Sequence, residues 1–306
     1  MGNHTTMDNF ILLGLSNNPK HDSFLSMLFF IMYFASLIGN ISIILVIIRC
    51  PQLHTPMYFF LCSLSTVDLC LTTATVPKLL FNLFSGRKTI SFYGCFIQMY
   101  FFLCAGVMDS FLLAVMAFDR YLAICDPMHY TTIMSRKVCV LLVAGSWMIV
   151  SLHALMHTVM SASLSFCSSN VIHHFFCDVP PMLKLSCSAT FANEMIIFTE
   201  GSFIIMGPMI FIIVSYIRII STVLKIQSSK GRNKAFSTCT SHLTAVTLFY
   251  GAILFMYFRP SSSYSLEYDK AISVIYTVVT PMLNPFIYSL RNKEVKGALR
   301  KTWIRS

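Results

Sequence analysis

The chain has 306 residues, of which 56% are hydrophobic and 11% charged. Soluble domains carry about 25% charged residues, so a water-soluble globule is excluded. The net charge of +10 would point to nucleic acid in a soluble chain; here its distribution reads as a membrane orientation signal, and no nucleic-acid partner is expected.

Seven runs reach the ~20 apolar residues that a bilayer core demands: Phe24–Ile48, Met57–Pro77, Cys95–Ala117, Val138–Met160, Met195–Ile217, Ala235–Phe258 and Ala271–Leu290. The first, fourth, sixth and seventh hold no Asp, Glu, Lys or Arg. Met1 to Ser23 lacks a basic start followed by an apolar core, so the first run is expected to act as its own insertion signal. An odd number of spans puts the termini on opposite sides. With the C-terminus inside, fifteen of the 22 Lys and Arg fall on the cytosolic side, against the acids Asp119, Asp126 and Glu294. That positive-inside bias predicts N-terminus out and C-terminus in, and the basic face meets anionic membrane lipids. The expected fold is an all-α membrane protein. It is a seven-transmembrane helix bundle in a single domain over 1–306, with an outer tail (1–23), the bundle (24–290) and a cytoplasmic tail (291–306).

In chain order, Asn3-His4-Thr5 is an N-glycosylation sequon on the outer side. Asn40 is a polar group inside the first span, suited to an interhelical hydrogen bond. Pro51 to Leu61 reads Pro-Gln-Leu-His-Thr-Pro-Met-Tyr-Phe-Phe-Leu, with Pro56 placed for a first helical turn. Asp68 and Asp109 lie mid-span in the second and third runs. Carboxylates at that depth are functional by default; two close together favour a shared proton or a bound cation, with Ser65 and Ser110 as further oxygen donors. Met116-Ala117-Phe118-Asp119-Arg120-Tyr121-Leu122-Ala123-Ile124-Cys125 closes the third run and sets a charge pair where a helix meets water.

Four cysteines, Cys95, Cys167, Cys177 and Cys187, fall on the outer side, where three pairings are open; the other seven are expected to stay reduced. The outer loop also contains His174-Phe175-Phe176-Cys177-Asp178. In the fourth run Trp147 reads as apolar filling. His153 and His157 stand at i, i+4, a spacing that can bind metal, but no Cys or acid is placed to complete a site. Packing hydrogen bonds, and no transition-metal site, are therefore expected. Glu200, near the outer end of the fifth span, either snorkels to the interface or lines a cavity. Pro208 lies mid-span and Ser215-Tyr216 near the cytosolic end. The sixth span opens Lys234-Ala235-Phe236-Ser237-Thr238-Cys239-Thr240-Ser241-His242-Leu243; His242 can reach Arg120 or a backbone carbonyl. The seventh ends Pro281-Met282-Leu283-Asn284-Pro285-Phe286-Ile287-Tyr288. Pro285 removes a donor and kinks the helix, and Asn284 can satisfy the freed carbonyl or reach Asp68. Val295, Leu299 and Trp303 form one stripe of a basic segment, as expected of a short amphipathic eighth helix on the membrane.

These strings, in this order and spacing from about Leu12 to Arg300, resemble the olfactory receptor branch of the rhodopsin-like G-protein-coupled receptors, of the tetrapod-type class II. Phe118 and Leu122 stand where that family usually has Tyr and Val, and Asp109 where it often has Glu. The resemblance implies disulfides Cys95–Cys177 and Cys167–Cys187, and a sodium site at Asp68, Asp109, Ser65, Ser110 and Asn284 as the one allosteric ion, with no cofactor besides. It implies that Asp119, Arg120, Tyr121, Tyr216, His242, Asn284, Pro285 and Tyr288 carry activation. Arg120 would leave Asp119 and meet Tyr216, while Pro285 acts as a hinge that moves Tyr288.

On the third helix Met99, Phe102, Leu103, Gly106 and Val107 share a face. The resemblance turns it inward against Glu200, Phe203, Tyr250, Ile253, Leu254, Tyr257 and Thr277. Such a pocket is mostly apolar and suits small volatile odorants. The implied partner is a heterotrimeric stimulatory olfactory-type G protein, with cyclic AMP as output, at the plasma membrane of olfactory neuron cilia. Phe102 stands where amine receptors place an acid, and the seventh span lacks the Lys that retinal needs. A transporter would show repeats and broken, charged helices; a peptide or lipid receptor on this fold would lack the His-Thr-Pro-Met-Tyr and Ser-Thr-Cys-Thr-Ser-His strings. No nucleophile, base and orienting group fall at a recognisable spacing, so no enzyme is expected.

Overall fold

The computed structural model describes residues 8–15, 19–167, 169–257, 266–291 and 295–298, with the backbone alone at 19–20, 234, 238, 256–257, 266 and 290–291. In chain order its helices are α1 (Pro19–Arg49), α2 (Pro56–Ser85), α3 (Phe92–Cys125), α4 (Tyr130–Ile133), α5 (Arg136–Ala162), α6 (Val179–Leu185), α7 (Phe191–Leu224), α8 (Ser229–Tyr257), α9 (Leu266–Val274) and α10 (Thr280–Arg291). A π-helical stretch, Ile275–Val279, fuses α9 to α10. Among the described residues seven helices are long and apolar enough to cross a membrane. They are α1, α2, α3, α5, α7, α8 and the α9–α10 rod, and the described residues of each apolar run lie in one of them.

Local chemistry sets several helix ends. α2 opens on Pro56 after extended Thr55, where the missing proline N–H costs nothing. It closes at Gly86, whose φ of 66° is the left-handed conformation that favours glycine. The second span was expected to end at Pro77. α2 instead continues to Ser85, because Leu79 and Leu80 beyond the proline are buried against the core. Ser91 caps α3 by accepting from Gly94 N at 3.1 Å. The seventh span is kinked by Pro285, which leaves the Pro281 carbonyl without its helical donor. Asn40 of α1 supplies one, its Nδ2 lying 3.0 Å from Pro281 O. Glycine at position 39 permits this approach: a Cβ there would meet Pro285 at 3.0 Å.

The loops and the chain's start build a cap over one end of the bundle. β1 (Asn9–Leu12) pairs antiparallel with β2 (Thr89–Ser91) and parallel with β3 (Val171–Ile172). Phe10 pairs with Ile90, and Ile11 with Val171. Phe10 is fully buried and touches the rings of Phe92, Phe96 and Phe166. Disulfides join Cys95 to Cys177 and Cys167 to Cys187. A second apolar cluster, separate from the bundle core, fills this cap.

Of the eighth-helix stretch, residues 295–298 are helical and Val295 is buried in the bundle core. Leu299 and Trp303 lie outside the described residues, as does Asn3.

Candidate functional site

Below the cap, the loop between α5 and α7 reaches into the bundle. Phe175 and Phe176 are fully buried, and Phe176 packs on Phe102 of α3 with ring centroids 4.6 Å apart. Phe102 also faces Tyr276 of the π stretch at 6.1 Å. Gln98 ties three elements together: its amide donates to Ala74 O of α2 at 2.9 Å and accepts from Cys177 N at 3.0 Å. His174 meets Ser273 Oγ at 3.2 Å. Burial, reinforced by the Lys270 charge, pushes His174 down to about 3, so the ring is neutral. Burial pushes the opposite way at Asp178, up to about 6, against the pull of the Val179 N–H that its carboxylate caps.

The expected pocket residues divide. Phe102, Val107 and Thr277 are buried, and Leu103, Gly106, Ile253 and Leu254 half-buried. A Cβ on Gly106 would meet nothing within 4 Å, so the absent side chain leaves open space on that face. Tyr250 of α8 shares a 2.7 Å hydrogen bond with Ser110 of α3. Thr277 donates to Ser273 O at 2.6 Å. Met99 is fully buried but packs with the cap cluster, beside Cys95 and Cys177, rather than with the bundle core.

Phe203 was expected to face inward and instead points away from the bundle, 81% exposed. The buried stripe of α7 is Ile212, Tyr216, Ile219 and Val223. Phe203 precedes Ile212 by nine positions, which at about 100° per residue puts it on the opposite face. The side chain of Tyr257 lies outside the described residues.

Glu200 was read as snorkelling or lining a cavity. It is bound instead to α5: His153 Nδ1 lies 2.6 Å from Oε1 and His157 Nε2 3.1 Å from Oε2. This corrects the expectation that no acid completes the histidine pair. The acid comes from another helix, and spacing along α5 alone cannot reveal it.

Deeper in the bundle Asn284 Nδ2 donates to both carboxylate oxygens of Asp68, at 3.1 and 3.0 Å. The carbonyl freed by Pro285 thus falls to Asn40, and Asn284 is spent on Asp68. Asp109 and Asn284 line a small cavity of ≈ 10 Å³ with Leu64, Leu113, Ala245, Phe249 and Thr280. Asp109 Oδ1 and Asn284 Oδ1 are buried there without a hydrogen-bond partner among the described residues. That volume holds about one water-sized particle, and the oxygen donors fit a hard cation. Ser65 is buried on α2; Ser110 is already engaged by Tyr250.

At the far end of α3, Asp119 and Arg120 are both buried. Arg120 was expected to pair with Asp119, yet among the described residues no ion pair within 4.0 Å joins them. Tyr130 of α4 donates to Asp119 Oδ1 at 2.7 Å, and Arg120 donates to the Met57 sulfur. Adjacent side chains on a helix point about 100° apart, which lets each find its own partner. Tyr121 is half-buried against the core. His242 Nε2 lies 3.0 Å from Leu113 O, and its Nδ1 2.8 Å from Tyr216 Oη. A carbonyl only accepts, so Nε2 carries the proton, Nδ1 accepts, and Tyr216 donates. His242 therefore bridges α3, α8 and α7 and does not use Arg120. Tyr288 is 2% exposed, and its hydroxyl has no hydrogen-bond partner among the described residues.

A seven-span bundle with a crosslinked cap at one end and a buried Asp-Arg pair at the other has the build of a membrane receptor. The family model described as "Olfactory receptor" matches residues 29–305. Similar proteins include olfactory receptor 1f45 of Rattus norvegicus and olfactory receptor 1F1 of Homo sapiens. Each is 54% identical over 299 residues, covering 98% of this chain and 96% of the relative. Olfactory receptor 1L1 of Homo sapiens is 55% identical, over 98% of this chain and 83% of its own. The chain belongs to the olfactory receptor family, a family of receptors rather than enzymes, and is a multi-pass plasma-membrane protein.

Proposed function

We propose that this chain is an odorant receptor, a single domain oriented with its N-terminus outside and its C-terminus inside, that binds small, mostly apolar volatile ligands in the cap-side half of the bundle. It activates a heterotrimeric stimulatory olfactory-type G protein, raises cyclic AMP, and works on olfactory neuron cilia, with a glycan at Asn3. The positive-inside bias supports the orientation.

One observation carries the coupling: α8 is tied to α3 by two hydrogen bonds, Tyr250 to Ser110 and His242 to the Leu113 carbonyl. The upper bond lies beside half-buried Ile253 and Leu254 and on the same helix as Gly106, so a ligand settling there competes for the Tyr250 hydroxyl. Loss of that bond loosens α8 from α3. The lower bond then breaks, Tyr216 is released from His242, and Arg120 is left free to exchange Met57 for Tyr216. The swing of α8 opens a cleft at the far end for the G protein. Binding shifts this equilibrium only by the ligand's differential affinity for the two states. Asp68, Asp109 and Asn284 would hold a sodium ion, whose positive charge would offset the two carboxylates.

The test is cyclic AMP in cells expressing the chain with an olfactory stimulatory G protein, over a volatile panel, beside Arg120→Ala and Tyr250→Phe at equal surface level. A response that disappears in Arg120→Ala and shifts its half-maximal concentration in Tyr250→Phe supports the reading. A full response in Arg120→Ala refutes it.

A further inference from the structure

The chemistry joining α5 to α7 is unlike the other interhelical contacts. Two imidazoles one helical turn apart, with ring centroids 4.6 Å apart, face one carboxylate on the neighbouring span. Each ring addresses a different carboxylate oxygen. The ligand-capable atoms of His153, His157 and Glu200 all lie within 4.8 Å of one another. Both imidazole side chains are more than nine-tenths buried, while the Glu200 side chain is 33% exposed. The cluster is thus a buried nitrogen pair with a carboxylate at its edge. It sits near the cap, within about 15 Å of the ends of α5 and α7 at 1.5 Å rise per residue.

We propose that His153, His157 and Glu200 form a binding site for a divalent transition-metal ion of the zinc type, bridging the fourth and fifth spans. Imidazole and carboxylate are borderline and hard donors that suit Zn²⁺ and its neighbours. Metal–nitrogen distances of about 2.0–2.1 Å put tetrahedral ligands roughly 3.3 Å apart, so the cluster needs only a small relaxation. Two histidines and one acid leave a fourth position for water, as in open three-ligand sites. Each neutral ring need only carry its proton on its other nitrogen. The ion then takes the place the two N–H groups now fill against the carboxylate. A site made before the ion arrives loses little order on binding, and the bridged helices are held together more tightly.

The inference stands independently of the odorant reading, and so does its test. The full chain is reconstituted in lipid nanodiscs and titrated with Zn²⁺ while its thermal midpoint is followed. The midpoint is expected to rise by a few degrees at saturation. His153→Ala with His157→Ala, and separately Glu200→Gln, should each weaken the apparent affinity by at least about tenfold, since even outer-shell changes cost 10–100-fold. Glu200→His keeps a ligand and should restore the shift. Co²⁺ added to the unaltered chain gives a second readout that needs no variant: strong visible absorption of a tetrahedral complex, bleached by Zn²⁺. A thermal shift of equal size in the double-histidine variant would place the ion elsewhere and overturn the proposal. Absence of tetrahedral Co²⁺ bands in the parent would overturn it as well.

Discussion

At the cap end, two disulfides, a three-stranded sheet and a cluster around Phe10 hold the loop between α5 and α7 against α3. At the far end, Asp119 has Tyr130, Arg120 has Met57, Tyr216 has His242, and the Tyr288 hydroxyl has no hydrogen-bond partner among the described residues. Covalent and apolar contacts resist reorganisation, whereas single hydrogen bonds of about 1 kcal/mol net exchange readily. A cavity needs walls that keep their shape, and a coupling face needs partners that can be swapped. The same chain supplies both by placing its two disulfides and the Phe10 cluster at one end and single polar pairs at the other.

Four measurements press on that contrast. Cys95→Ser opens a loop of sequence separation 82, and Cys167→Ser one of 20. Loop entropy predicts losses of about 4.5 and about 3.3 kcal/mol, so surface delivery should fall further in the first. Equal loss in both would mean that the cap is not held by the long crosslink. Acidity offers the second. His174, neutral to about 3, favours the fold less as pH falls below its ordinary value near 6.5. Asp178, protonated up to about 6, favours it more as pH falls from 6 toward 4. The two slopes oppose, so the contributions of His174 and Asp178 to the parent's thermal midpoint should largely cancel over that window. Asp178→Asn leaves the His174 slope alone, a loss of about 1.4 kcal/mol per unit as pH falls; His174→Gln should reverse the sign.

Gly39→Val probes the other half. Its side chain would collide with Pro285, and overpacking costs about 1–3 kcal/mol, read as a lower midpoint with the cap disulfides intact. The smallest change is Tyr216→Phe, which removes one hydrogen bond worth about 1 kcal/mol. Stability should barely move while the maximal ligand-driven cyclic AMP response falls several-fold, because the hydroxyl that His242 holds is the one Arg120 takes up in the proposed active arrangement. A silent Tyr216→Phe would remove His242 and Tyr216 from the latch.

The seven spans were legible in the sequence because a bilayer leaves few alternatives to long apolar helices. The cap sheet was not, since strands as short as Thr89–Ser91 and Val171–Ile172 carry too few residues for a period to show. Asp68 with Asn284 was readable as a pair; Asn40 with Pro281 was not, although a proline one turn further on announces an orphaned carbonyl. Phe203 was misplaced because an apolar residue in a membrane helix carries no mark of which side faces lipid. The union of Glu200 with His153 and His157 depended on how two helices face each other, and no spacing within either records that.

The π stretch at Ile275–Val279 gives the seventh span slack. A wide turn accommodates one residue more than an α-helical turn, and Thr280 closes it by donating to Ile275 O at 3.0 Å. Annealing that turn to a regular helix would lengthen the rod by about 1.5 Å and rotate everything beyond it by about 100°. Asn284 and Tyr288 lie on the rotated side and Ser273 on the stationary side. A ratchet of one residue would thus turn the lower rod like a key while the upper rod stays locked to the cap.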